Sequence, residues 1–341
     1  MGESRPAPDV TFVIPNYNGE RFLGATIESI LAQRDPGFRL VVADNCSTDG
    51  SIDLARSYRD PRLSVVAADR HVSMSANWNR AMDIVCTPFF VLAHADDLYD
   101  SEYLVEMLPL LRSHERAFVA HCAVHNIDEQ NTVLELPVDK YKTLFFPPDD
   151  PYARSPCEEA AWLRKGNYIL APSAIYRTAH ARAVGRFNER FQFVPDWEYW
   201  FRGVLMGFQI AGTRRRLISY RRHPHSLTKS AEANLSRYQE EIELLGWLAP
   251  AGHAAGCFPD PAPDYALVSN TLMSEFADRL ALGDASGARR LAVFARERIP
   301  GFRRSARDVV ARCALPFGRL GGRTVAGFRE GYLHLLTWRH R

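Results

Sequence analysis

The chain has 341 residues, of which 46% are hydrophobic and 24% charged, and a formal net charge of +2. That composition is globular and long enough for one large domain or two ordinary ones, and the near-neutral balance excludes a protein built around nucleic-acid binding. The six cysteines (Cys46, Cys86, Cys122, Cys157, Cys257 and Cys313) form no Cys-x-x-Cys pair, so their spacing argues against a zinc knuckle or a disulfide framework and fits a reducing cytoplasm. The opening MGESRPAPDV has no apolar signal core, and no stretch reaches the apolar length of a membrane span. The sequons Asn45-Cys46-Ser47 and Asn234-Leu235-Ser236 therefore read as chance.

In chain order, VTFVIP (10–15) is a short β-branched apolar run and predicts a strand. ERFLGATIESILAQ follows with Phe22, Leu23, Ile27, Ile30 and Leu31 at helical spacing. RLVVAD (39–44) is a second strand, STDGSIDLARSY a helix behind cap-type residues, LSVVAA a third strand, MSANWNRAMDIVC a helix and PFFVLAH a fourth strand. Strands alternating with helices at this spacing predict crossover units and a parallel sheet, in which ligands bind beyond the carboxyl ends of the strands. The polar groups after each strand should then open on one edge: Asn16-Tyr17-Asn18, Asp44-Asn45, Asp69-Arg70 and Asp96-Asp97.

Residues 101–113 predict a further helix, and the Pro- and Asp-rich 137–157 a mobile loop. A helix to Arg164, an extended YILAPSAIYR and a strand-like QIAGTRRRLISYRRH come next. After about residue 230 long helical segments take over, which predicts a boundary: residues 8–230 as one domain, with halves 8–100 and 101–230, and residues 231–341 as a helical, basic C-terminal region.

Five segments occur in order: VTFVIPNYNGERFLGATIESILAQ, VVADNCSTDGS, VLAHADDLY, VPDWEYWFR and YRRHPHSLT. Together they resemble family 2 inverting glycosyltransferases, over roughly the first two-thirds of the chain. The resemblance implies an α/β GT-A fold, with a mostly parallel Rossmann-like sheet between helices. It also implies a nucleoside-diphosphate sugar donor, Mn2+ or Mg2+, and a glycan or lipid-linked glycan acceptor in cell-surface polysaccharide synthesis.

The residues can be weighed chemically beside that resemblance. Asp44 ends the second strand, where it can accept from the imide N–H of a base; a hydrogen bond to a charged acceptor contributes about 1.5–3 kcal/mol. Pro15, Asn16 and Tyr17 border the same place, and Asn77 takes the position of a family donor contact. The leaving diphosphate gains charge as the glycosidic bond breaks, and a divalent cation stabilises that charge. Asp96 is the expected metal ligand, with Asp97 second and His223 joining them; Arg221 would face the diphosphate. The family pattern is Asp-x-Asp, but His94 stands at its first position here, as a donor contact or as a packed strand-end histidine.

An inverting transfer needs a base opposite the leaving group, and Asp196 is the candidate. Pro195 replaces the Glu that usually precedes it, and the bland alternative for Asp196 is a helix cap. Glu198 is the fallback base. Trp197, Glu198 and Trp200 are assigned to the acceptor, although indoles at helical spacing are commonly core. Residues 226–230 suggest a lid. From residue 303 onward, nine arginines face two acidic residues among interleaved apolar ones, a pattern that suits either peripheral contact with an anionic membrane or a packed helical cap. Two other readings have less support. A sugar-phosphate nucleotidyltransferase needs a Gly-rich loop where IPNYNGERF has one glycine, and a non-catalytic nucleotide-sugar-binding module would explain His94 and Pro195 but not the retention of Asp44, Asp96 and Asp196.

Overall fold

The computed structural model describes residues 8–136, 145–224, 226, 231, 234–300 and 302. At its centre β1 (Val10–Asn16) lies between β2 (Phe38–Asp44) and β4 (Phe89–Leu92), parallel to both, and β3 (Leu63–Ala67) extends the sheet beyond β2. Helices α1 (Glu20–Leu31), α2 (Ser51–Ser57) and α3 (Met74–Ile84) make the crossovers between these strands. Strand β1 is covered on both faces, which is why it reads as one apolar run. Phe12 and Ile14 join Leu23, Ile27 and Ile30 of α1 on one side, while Val13 joins Trp78, Ala81 and Met82 of α3 on the other. Pro15 is tolerated because pairing with β4 has ended by Val13, opposite Leu92.

Beyond β4 the direction changes. β5 (Leu98–Tyr99) is followed by α4 (Tyr103–Ser113), β6 (Ala117–Ile127), β7 (Val133–Leu134), β8 (Tyr152–Ala153), α5 (Pro156–Leu163), a 3-10 turn (Ala171–Ser173), β9 (Ala174–Arg177), α6 (Thr178–Val184), α7 (Pro195–Leu205) and β10 (Gln209–Arg221). β9 runs antiparallel between β4 and β6, β10 lies parallel to β6, and the sheet reads β3-β2-β1-β4-β9-β6-β10-β5. Because β9 is reversed, the loop that precedes it arrives at the edge where β1, β2 and β4 end.

The first four strands and their helices lie where the alternation places them. β6, eleven residues in the middle of the sheet, was not among the expected elements. Part of the expected loop 137–157 is regular: residues 137–144 lie outside the described residues, but β8 and the start of α5 fall within the span. The Glu158 carboxylate accepts the Ser155 N–H at 3.0 Å and sets the start of α5.

Helices α8 (Ser236–Ala254), α9 (Ala266–Ala281) and α10 (Ala285–Arg298) follow. Their Tyr238, Leu244, Leu248, Leu272 and Leu291 share one hydrophobic cluster with Trp200 and Phe201 of α7. A disulfide joins Cys157 in α5 to Cys257 after α8. This corrects the reading from cysteine spacing: the partners are 100 residues apart, and only the fold brings them together. Residues 303–341, with the arginine-rich pattern, lie outside the described residues, as do residues 227–230 of the expected lid.

Candidate active site at the carboxyl edge of the sheet

The ends of β1 and β2 are tied to each other. Asn16 donates from Nδ2 to Asp44 Oδ1 at 2.9 Å and to Ser47 Oγ at 3.1 Å. Asp44 also accepts the Ser47 hydroxyl at 2.6 Å and the Ser47 N–H at 2.9 Å. Both residues are fully buried, so Asp44 fixes the floor of the edge through three protein donors. Above it Asn45 grips the Val72 backbone, accepting its N–H at 3.0 Å and donating to its carbonyl at 2.9 Å. That grip brings His71 over the strand ends, its ring 4.4 Å from that of Tyr17. Tyr17 is 50% exposed, the most open aromatic face at this edge.

Arg80 of α3, which the motif reading passed over, donates to the Asp44 carbonyl and holds Asn77 Oδ1 at 3.1–3.2 Å. Asn77 is buried and braces this arginine. Arg80 follows it by three residues, one helical turn, which is the spacing that could have revealed the pair.

β4 delivers His94, Asp96 and Asp97, whose ligand atoms lie within 4.8 Å of one another. Asp96 Oδ2 accepts from His223 Nε2 at 3.0 Å. Burial pushes the Asp96 carboxyl up, but His223 and His94 together hold it below the ordinary carboxylate range. Asp97 is fully buried, accepts the Arg221 N–H at 2.8 Å on Oδ1, and is raised well above that range by burial and by Asp96. Burial lowers the His94 imidazole, against a smaller pull from Asp96, which favours the neutral ring. His94 Nε2 and Asp97 Oδ2 are both buried with no hydrogen-bond partner. A divalent cation among these three residues would take such acceptors as ligands, so the donor set fits one. It brings together Asp96, Asp97 and His94, with His223 behind Asp96 rather than within the same group.

Arg221 is turned inward, contrary to the expectation of a diphosphate contact. Its Nε donates to the Asp96 carbonyl and its Nη1 to the Asp128 carbonyl, each at 2.8 Å, while the guanidinium lies 4.6 Å over the Phe22 ring. It shapes the Asp96-Asp97 turn and is 2% exposed.

On the other side of the edge, α7 begins at Pro195, which suits the first helical position because it has no N–H to satisfy. Its entry is braced by Glu240 of α8, which accepts the N–H groups of Phe193 at 2.7 Å and Val194 at 3.2 Å. Asp196 therefore lies in the first turn, with Val194 as the cap residue. Its Oδ1 accepts the Trp197 N–H at 2.8 Å and its Oδ2 the Asn167 amide at 3.0 Å. The residues expected at the acceptor lie inside instead. Trp197 donates its indole N–H to the Leu163 carbonyl at 2.8 Å, Glu198 forms a two-armed pair with Arg202 at 2.9 Å, and Trp200 stacks on Tyr176 at 5.5 Å. All three face the core because a helix packed on a sheet must bury that face.

An acidic group at one strand end and a carboxylate at a helix start thus face the same edge of the sheet. Residues 11–165 match the model described as Glycosyl transferase family 2. The chain is 28% identical over 235 residues to the uncharacterized protein y4gI of Sinorhizobium fredii, covering 66% of this chain and 24% of that one. It is 32% identical over 123 residues to the succinoglycan biosynthesis protein ExoO of Rhizobium meliloti, covering 36% and 34%. Much of each relative's length thus lies outside the match. Among solved structures, S. aureus TarS 1–349 in complex with UDP-GlcNAc is similar at 17% identity and TM-score 0.57, over 85% of this chain and 92% of that one. The mannosyltransferase PcManGT from Pyrobaculum calidifontis in complex with GDP-Man and Mn2+ is similar at 16% identity and TM-score 0.51, over 98% and 87%. These two share the fold. Residues 11–165, a little under half of the chain, thus carry the likeness to glycosyltransferase family 2.

Proposed function

We propose that this protein moves a sugar, with inversion, from a nucleoside-diphosphate sugar to a hydroxyl of a glycan or lipid-linked glycan in cell-surface polysaccharide synthesis. The observation that carries the reading is the convergence of His94, Asp96 and Asp97 at the end of β4. The surface-polysaccharide assignment is supported by the likeness to ExoO, and the donor class by the sugar nucleotides held in the two structural neighbours.

Tyr17 and His71 offer the base a face, and the Asn16-Asp44-Ser47 knot holds the strand ends that carry it. His94, Asp96 and Asp97 would hold Mn2+ or Mg2+, which when bound offsets the charge of the departing diphosphate. Asp196 accepts the proton of the acceptor hydroxyl as its oxygen bonds to the anomeric carbon. The bond from that carbon to the diphosphate breaks with its electron pair on the leaving oxygen.

Calorimetric titration with UDP, GDP, dTDP and CMP, each with and without manganese, tests the reading. One nucleoside diphosphate should bind, and more tightly with the metal. Asp196→Asn should bind it equally and transfer no sugar. Absence of binding by all four nucleotides would sink the proposal, and binding without transfer by the wild type would favour a module that has lost the chemistry.

A further inference from the structure

The loop between α5 and the 3-10 turn is pinned on both sides of Asn167. Gly166 has φ +152°, and a Cβ there would meet Leu267 Cδ2 of α9 at 2.9 Å. Tyr168 is buried, donates its hydroxyl to the Glu159 carboxylate and accepts from Arg154 Nη1 at 3.0 Å. Between these anchors, among the described residues, the Asn167 side chain donates from Nδ2 to Asp196 Oδ2 at 3.0 Å, while Oδ1 is buried without a hydrogen-bond partner. Turning the amide over would set its oxygen against the carboxylate, so this contact fixes its orientation.

We propose that Asn167 is the positioning residue of the transfer, aiming the Asp196 carboxylate while leaving it basic. The proposal rests on the reading of Asp196 as the base. With Trp197 N–H on Oδ1 and Asn167 Nδ2 on Oδ2, donors from two separate elements set the carboxylate plane. An amide does this without a positive charge; an arginine or lysine at 167 would depress the proton affinity the base needs. Among the described residues, Tyr176 of β9 is a titratable group that faces Asp196 from the sheet, and Glu198 and Arg202 of the same helix neutralise each other.

Three variants test this: Asn167→Ala, Asn167→Asp and Asp196→Asn. Each is assayed for donor KM, kcat, the pH profile of kcat/KM and nucleoside-diphosphate binding. Asn167→Ala should lower kcat by about tenfold or more through lost orientation, with donor KM and nucleotide binding within about twofold of wild type. Asn167→Asp has nearly the same shape, so it tests the idea even if the alanine variant folds poorly. It sets a second carboxylate beside Asp196 and should move the acidic limb of the profile up by about one pH unit or more. Unchanged kcat in Asn167→Ala, or a fixed acidic limb in Asn167→Asp, would overturn the positioning role while an inactive Asp196→Asn upholds the base. Retained transfer by Asp196→Asn would remove the base itself, and the proposal with it.

Discussion

The two halves of the sheet build the site in different ways. From β3 to β4 the strands are parallel, and each strand ends in the polar residues that matter, so position along the chain and position at the edge coincide. From β9 onward that link is broken. β9 runs backwards, Asn167 comes before a strand rather than after one, and Asp196 comes from a helix start braced by Glu240 two elements later. The aromatic residues expected to meet ligands divide the same way: Tyr17 in the first half is open, whereas Trp197 and Trp200 in the second are closed in the core. A motif therefore reports position at the edge directly in the first half, and only through packing in the second.

That contrast can be broken by substitution. Trp200→Ala should cost about 3–5 kcal/mol in urea unfolding, as a fully buried aromatic does. Tyr17→Ala should stay within about 0.5 kcal/mol yet weaken nucleotide binding, and the reverse pattern would abolish the distinction. Asp96→Ala should lower transfer by about 10²–10³-fold and remove the effect of manganese on donor binding in calorimetry; a persistent metal effect would shift the ligands elsewhere.

The smallest expected effect sharpens the first half. Asp49 accepts the Glu20 N–H at 3.0 Å and the Ser51 N–H at 3.1 Å, linking the starts of α1 and α2. Asp49→Ala should cost about 1 kcal/mol at neutral pH. Burial pushes this carboxyl up, but the Ser51 hydroxyl and the backbone donors hold it below the ordinary range. Its stabilisation is therefore present above the unfolded-state pKa and lost as pH falls through the folded one. The gap between wild type and variant should shrink in acid-titrated unfolding curves.

Most of the first half was legible because alternation of apolar runs and amphipathic helices fixes both the elements and the edge they share. The chemical type of each strand-end residue was legible too, but its engagement was not. Asp44 and Arg221 look free for a ligand in the sequence, yet Asn16, Ser47 and the carbonyls of Asp96 and Asp128 occupy them across strand ends that lie far apart in the chain. β6 escaped notice because His121, His125 and Asn126 interrupt its apolar run, and no turn motif brackets it. Asn167 carries no motif; only the reversed strand brings it to Asp196.

The disulfide has a consequence for anyone who would exchange parts between relatives. The family match stops at residue 165, yet Cys157 is bonded to Cys257 and the Leu163 carbonyl receives the Trp197 indole. The recognisable segment ends in mid-interior. A chimera meant to transplant donor preference should therefore carry α7 to α10 with it, or be joined within the first half of the sheet. A graft that ended at residue 165, where the family match ends, would leave an unpaired thiol and a bare apolar face.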